Sequence, residues 1–97
     1  MPEKTSVLLV DDHSLVRRGF RRMLEDEPDI SVIGEASDGL EAVSLARSLK
    51  PRVIVMDCAL PEMNGLQATR KILEFAPETL ILMLSMHTEE TWVRQAK

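Results

Sequence analysis

Apolar runs and polar breaks alternate along this chain with a regular beat. Val7-Leu8-Leu9-Val10 runs into Asp11-Asp12-His13, and Val53-Ile54-Val55-Met56 runs into Asp57. Leu80-Ile81-Leu82-Met83-Leu84 runs into Ser85-Met86-His87. Short uninterrupted runs of this kind mark strands buried on both faces, as in a parallel sheet. A fourth segment, 30–36, alternates only weakly and reads as a strand nearer the sheet edge.

Helical spacing fills the intervals. Over 14–27, Leu15, Val16, Phe20, Met23 and Leu24 recur on one face with arginines on the other, and Pro28 closes the segment. Asp38 with Glu41 has the form of a capping box before a helix at 40–49, which is expected to bury Leu40, Val43, Ala46 and Leu49 before Pro51 stops it. A third helix, 66–75, carries Leu66, Ile72, Leu73 and Phe75 and ends at Pro77. Thr88 is placed to cap a last helix over 89–97, with acids in its first turn and bases in its last. Strict β-α alternation predicts an α/β fold, a parallel sheet with helices on both faces.

Composition narrows the function. A chain of 97 residues suits one domain, and 44% hydrophobic with 29% charged residues is ordinary for a soluble globular protein. Net charge of −4 argues against a duplex-DNA surface, because phosphate contacts need clustered cations. Arg17, Arg18, Arg21 and Arg22 do cluster, but beside Glu25, Asp26 and Glu27 they read as a solvated helix face. The single cysteine, Cys58, excludes an internal disulfide and suits a reducing cytoplasm. Neither a signal peptide nor a membrane-spanning apolar run is visible, so no membrane partner is expected.

The chemistry lies where strands end. Parallel strands present their carboxyl ends on one sheet edge, where ligands bind in open α/β folds. Asp11, Asp12, Asp57 and Ser85 should therefore converge, with Asp57 partly hydrated on a rigid backbone. Three close carboxylates repel one another, and a hard divalent cation such as Mg2+ relieves the repulsion. Carboxylate, Mg2+ and hydroxyl together describe a site that can receive a phosphoryl group on an aspartate. His13 reads as a solvated or helix-cap histidine rather than a metal ligand, and His87 as a loop residue near the site.

Leu9-Val10-Asp11-Asp12-His13, Met56-Asp57, Leu60-Pro61-Glu62-Met63-Asn64-Gly65 and Leu82-Met83-Leu84-Ser85-Met86-His87 closely resemble the receiver domain of bacterial two-component response regulators. The likeness is strongest to the NarL/FixJ type, whose members usually carry a LuxR-type helix-turn-helix output domain. It implies a flavodoxin-like doubly wound parallel sheet of strand order 2-1-3-4. It also implies Asp57 as phosphoacceptor, and Mg2+ held by Asp12, Asp57 and the Ala59 backbone carbonyl, with Asp11 acting through a metal-bound water. Ser85 and the Met86 backbone would contact the phosphoryl oxygens, Ser85 moving inward as a switch, while Ala59 and His87 would tune phosphoaspartate lifetime. The implied partner is a sensor histidine kinase, with DNA reached only through an output domain outside this chain.

Receivers continue to a fifth strand with a lysine and to a fifth helix. Lys97 falls within the fourth helix and does not match that lysine, so residues 1–97 read as a receiver domain incomplete at its C-terminus. The alternative reading is a docking or dimerisation module without productive phosphorylation. In the 2-1-3-4 order, right-handed crossovers put the first helix alone on one face and the next two on the other. A single helix would then cover four strands, which predicts self-association through strand 80–84 or exchange of the last helix. A haloacid-dehalogenase type of phosphatase requires a second Asp two residues beyond the first, where Ala59 stands. An FMN binder would need a Ser/Thr-rich loop after the first strand, and none is there.

Overall fold

The computed structural model describes residues 4–57, 60 and 63–84. Four strands, β1 (Thr5–Val10), β2 (Ile30–Ala36), β3 (Val53–Asp57) and β4 (Leu80–Leu84), form one parallel sheet in the order β2-β1-β3-β4. The helices α1 (Ser14–Glu25), α2 (Gly39–Leu49) and α3 (Gly65–Phe75) connect them. This is the doubly wound, flavodoxin-like sheet expected from the alternation, with β2 at one edge. The predicted helix at 89–97 lies outside the described residues.

Local chemistry explains the helix ends. Asp38 accepts a hydrogen bond from the Glu41 backbone N–H at 2.8 Å. The Glu41 carboxylate accepts from the Ser37 N–H and hydroxyl instead of reaching back to Asp38, so only half of the expected capping box forms. A complete box opens α3, where Asn64 and Gln67 each accept from the other's backbone N–H. Lys50, at φ 52°, caps α2 in the left-handed conformation, and Pro51 forbids further helix.

The core lies between the sheet and the α2/α3 layer. Leu8, Ile54 and Ile81 stand in register across three strands, as do Val10, Met56 and Met83, and all six are buried. They meet Ala42 and Ala46 of α2 and Ala68 and Ile72 of α3. At the start of α2 a glycine is required, because a Cβ on Gly39 would stand 2.0 Å from the carbonyl oxygen of Met63 in the loop before α3. Leu40 and Leu66, expected in the core, are exposed instead, while Leu49 is 37% exposed with its Cδ1 lying over Gly34 of β2.

Among the described residues the opposite face is covered only in part. Val7 and Leu9 are buried beneath α1, Val53 and Val55 are half-buried, and Leu80 and Leu82 are 58% and 41% exposed. The α1 helix packs on β1 and β2. Its inward face is Val16, Arg17, Phe20, Arg21 and Leu24, all half-buried, whereas Leu15 and Met23 face solvent. The arginines thus do not form a purely solvated face: Arg17 and Arg21 turn inward, and Arg18 and Arg22 outward.

A bulge in β2 explains the inward pair. Val7 pairs with Val32 and Leu8 with Gly34, so Ile33 is an extra residue and the alternation shifts by one. Glu35 therefore pairs with Leu9 on the α1 face, and Ala36 pairs with Val10 in the core. Without the bulge, Glu35 would face the apolar α2/α3 layer.

Candidate carboxylate site

Residues Val10 and Met56 are register partners, so Asp11 and Asp57 end up side by side as β1 and β3 finish. Ligand atoms of Asp11, Asp12, His13 and Asp57 all lie within 4.8 Å of one another. Asp11 is 6% exposed and Asp57 only 4%, so the expectation of a partly hydrated Asp57 is corrected. Asp12 remains open to solvent.

Each polar group of Asp11 is engaged. Its N–H donates to the Ala36 carbonyl at 3.0 Å. One carboxylate oxygen accepts from the His13 N–H at 2.8 Å and meets His13 Nδ1 at 3.1 Å. Its carbonyl accepts from Arg17 Nη1 at 2.5 Å. His13 takes the N-cap position of α1, as a helix-cap reading requires, but makes no side-chain capping bond. The ring turns to the acids instead, with Nδ1 also 3.0 Å from Asp12. The hydrogen bond to Asp11 first, and the charge of Asp12 second, raise the His13 pKa above its ordinary value.

Behind the carboxylates stands an ion-pair cluster. Glu35 accepts from Arg17 Nε at 2.8 Å and also from Arg21 Nη1, while Arg21 Nε reaches Glu25 at 2.9 Å. Hydrogen bonds from Arg17, then Arg21, hold the Glu35 carboxyl below its usual range. Reading the sequence missed both Arg17 and Glu35. The available signal was Gly34 beside an acid inside a strand, a combination that marks bulges.

The structure thus brings together Asp11, Asp12 and Asp57 and adds His13. Ala59, Ser85, Met86 and His87 lie outside the described residues. Asp11, Asp12 and Asp57 offer three hard carboxylate oxygen donors, a set that fits a small divalent cation such as Mg2+, while His13 adds only a nitrogen donor, which Mg2+ does not favour.

A doubly wound α/β domain with buried aspartates at the carboxyl edge of its sheet is the class defined by fold and site. The model of the response regulator receiver domain matches residues 7–97, and the chain belongs to that family, the receivers of two-component systems. It is similar to the response regulator UvrY of Escherichia coli K12, at 51% identity over 84 residues that make up 87% of this chain and 38% of UvrY. The response regulator domain of Thermotoga maritima CheB superposes with a TM-score of 0.86 at 42% identity, over 94% of this chain and 67% of that one. The CheX-CheY-BeF3-Mg+2 complex from Borrelia burgdorferi gives a TM-score of 0.82 at 25% identity, over 91% of this chain and 67% of that one. The chain thus spans about two fifths of the length of the curated relatives it matches. No helix among the described residues is long and apolar enough to cross a membrane.

Proposed function

We propose that this receiver accepts a phosphoryl group on Asp57 from a sensor histidine kinase in the cytoplasm. The observation that carries the reading is the convergence of Asp11, Asp12 and Asp57 within 4.8 Å, with Asp57 buried at a strand end. A carboxylate oxygen of Asp57 forms the new O–P bond as the P–N bond to the donor histidine breaks; the bond's electron pair stays on that ring nitrogen, and a proton held on the other ring nitrogen leaves the imidazole neutral. Asp12, Asp57 and the Ala59 carbonyl would hold Mg2+, with Asp11 acting through a metal-bound water. The bound cation would neutralise charge on the transferring oxygens. The BeF3 and Mg+2 of the Borrelia CheY complex support this assignment by likeness. Ser85 and the Met86 backbone would receive the phosphoryl oxygens, and Ala59 and His87 would set how long the acyl phosphate survives.

Burial serves this chemistry. A desolvated Asp57, held by the sheet, needs little reorganisation to reach in-line geometry. The outer face of α1 begins beside the site and presents Leu15, Arg18, Arg22 and Met23 to solvent, a mixed apolar and basic surface suited to a docking partner. In the longer protein, phosphorylation would control a DNA-binding output domain.

With acetyl phosphate and Mg2+, intact-mass analysis should show one added phosphoryl group on the wild type and none on Asp57→Asn. Mg2+ titration should show weaker binding by Asp12→Ala. Labelling of Asp57→Asn at the wild-type level would sink the assignment. A second reading, self-association through β4, is favoured by the exposure of Leu80 and Leu82 and by an outer edge that pairs with no strand among the described residues.

A further inference from the structure

The bulge at Ile33 decides where Glu35 points, and Glu35 decides where the Arg17 guanidinium lies. That guanidinium is a planar fork. Its Nε is fixed on Glu35 at 2.8 Å, and its Nη1 is thereby aimed at the Asp11 carbonyl, 2.5 Å away. The Asp11 carbonyl belongs to the peptide joining Asp11 to Asp12, so its direction sets how Asp12 leaves the strand. The same edge strand also fixes Asp11 from the other side, through the Ala36 carbonyl.

From this geometry we infer that Arg17 is a positioning residue for the carboxylate site, acting through the Asp11–Asp12 peptide and held in place by Glu35 of β2. It touches none of the atoms proposed to bind metal or phosphoryl. Its effect is to restrict Asp12, the one solvent-exposed carboxylate of the three, to the orientation in which it faces Asp11 and Asp57. A lysine cannot replace it, since a single ammonium lacks the fixed spacing between Nε and Nη1 that spans Glu35 and the carbonyl. Arg18, one residue on and exposed, makes no such bond and serves as the control.

The test has two readouts on the 97-residue chain, and only the second rests on the proposed metal site. The first is hydrogen exchange of the His13 N–H, bonded to the Asp11 carboxylate, in metal-free protein. Arg17→Gln should speed this exchange about tenfold relative to the global opening rate, while Arg18→Gln leaves it unchanged. The second is Mg2+ affinity, which should fall about tenfold in Arg17→Gln, the low end for residues that orient ligands from outside. Glu35→Gln should weaken both readouts in the same direction, and the double variant should be no worse than Arg17→Gln alone. Should Arg17→Gln fold poorly, Arg17→Lys keeps the aliphatic stem and the melting temperature but still loses Mg2+ affinity.

A variant that melts at lower temperature yet keeps wild-type His13 exchange and Mg2+ affinity would overturn the inference, leaving Arg17 with a packing role only. If the wild type itself bound no Mg2+, the metal reading would fall, and the exchange experiment would still decide the role of Arg17.

Discussion

The two faces of the sheet are built from the same kinds of residue and closed to different degrees. Beneath α2 and α3, Leu8, Val10, Ile54, Met56, Ile81 and Met83 are all buried. Beneath α1, burial decays from Val7 and Leu9 through half-buried Val53 and Val55 to the exposed Leu80 and Leu82. Among the described residues one helix covers two of the four strands on this face. Within those residues the closely packed core lies on one side of the sheet, and the other side carries the polar cluster of Arg17, Arg21 and Glu35.

The sharpest way to break that contrast is to truncate equivalent positions on the two faces. Ile54→Ala, in the closed face, should cost about 2–5 kcal/mol, because the removed atoms leave a cavity that packed neighbours cannot fill. Leu82→Ala, on the open face, should cost within about 0.5 kcal/mol. Urea denaturation of both variants checks this, and similar losses would show that the open face is covered in solution.

Association is the next effect in size. If the uncovered leucines are buried between copies, light scattering on a dilution series should show mass rising with concentration. Leu80→Lys with Leu82→Lys should hold the chain monomeric, since lysines on an edge strand block pairing. A monomer at every concentration in the wild type would remove self-association from the functions of this face.

Acid should produce the smallest change. The Glu35 pKa is lowered in the folded state by Arg17 and Arg21, so its contribution is present above the unperturbed value of 4.5 and is lost as pH falls through the lowered one. Wild type should exceed Glu35→Gln in stability by at most about 1 kcal/mol near neutrality. The gap should close on acidification below the carboxylate range, as followed by denaturation at a series of pH values. A gap independent of pH would mean that the charge of Glu35 is not what stabilises α1 against β2.

The order of elements and the meeting of Asp11, Asp12 and Asp57 were legible because both follow from period and topology. Apolar runs ending in acids place those acids on one edge whatever the details of packing. Side-chain burial was less legible. Leu15 and Met23 of α1, Leu40 of α2 and Leu66 of α3 satisfy helical spacing yet lie outside, and the core positions of α2 and α3 are taken by Ala42, Ala46, Ala68 and Ile72. Which part of an apolar stripe is covered depends on how the helix is set against the sheet, which no single helix encodes. Glu35 was hidden for a different reason: a one-residue bulge exchanges the faces of everything after it, and period-2 reading assumes no such step. His13 fell between two readings, placed as a helix cap by sequence and turned toward the acids in space.

The bulge in β2 also bears on how large any assembly can grow. A sheet with two regular open edges can add copies at both and extend into a fibre. Here the β2 edge is broken in register at Ile33, and its charged residue is tied down by two arginines of α1. The β4 edge is regular over all five residues. Copies that pair through β4, as proposed, would join like to like about a twofold axis, and among the described residues no second regular edge is left to extend such an assembly.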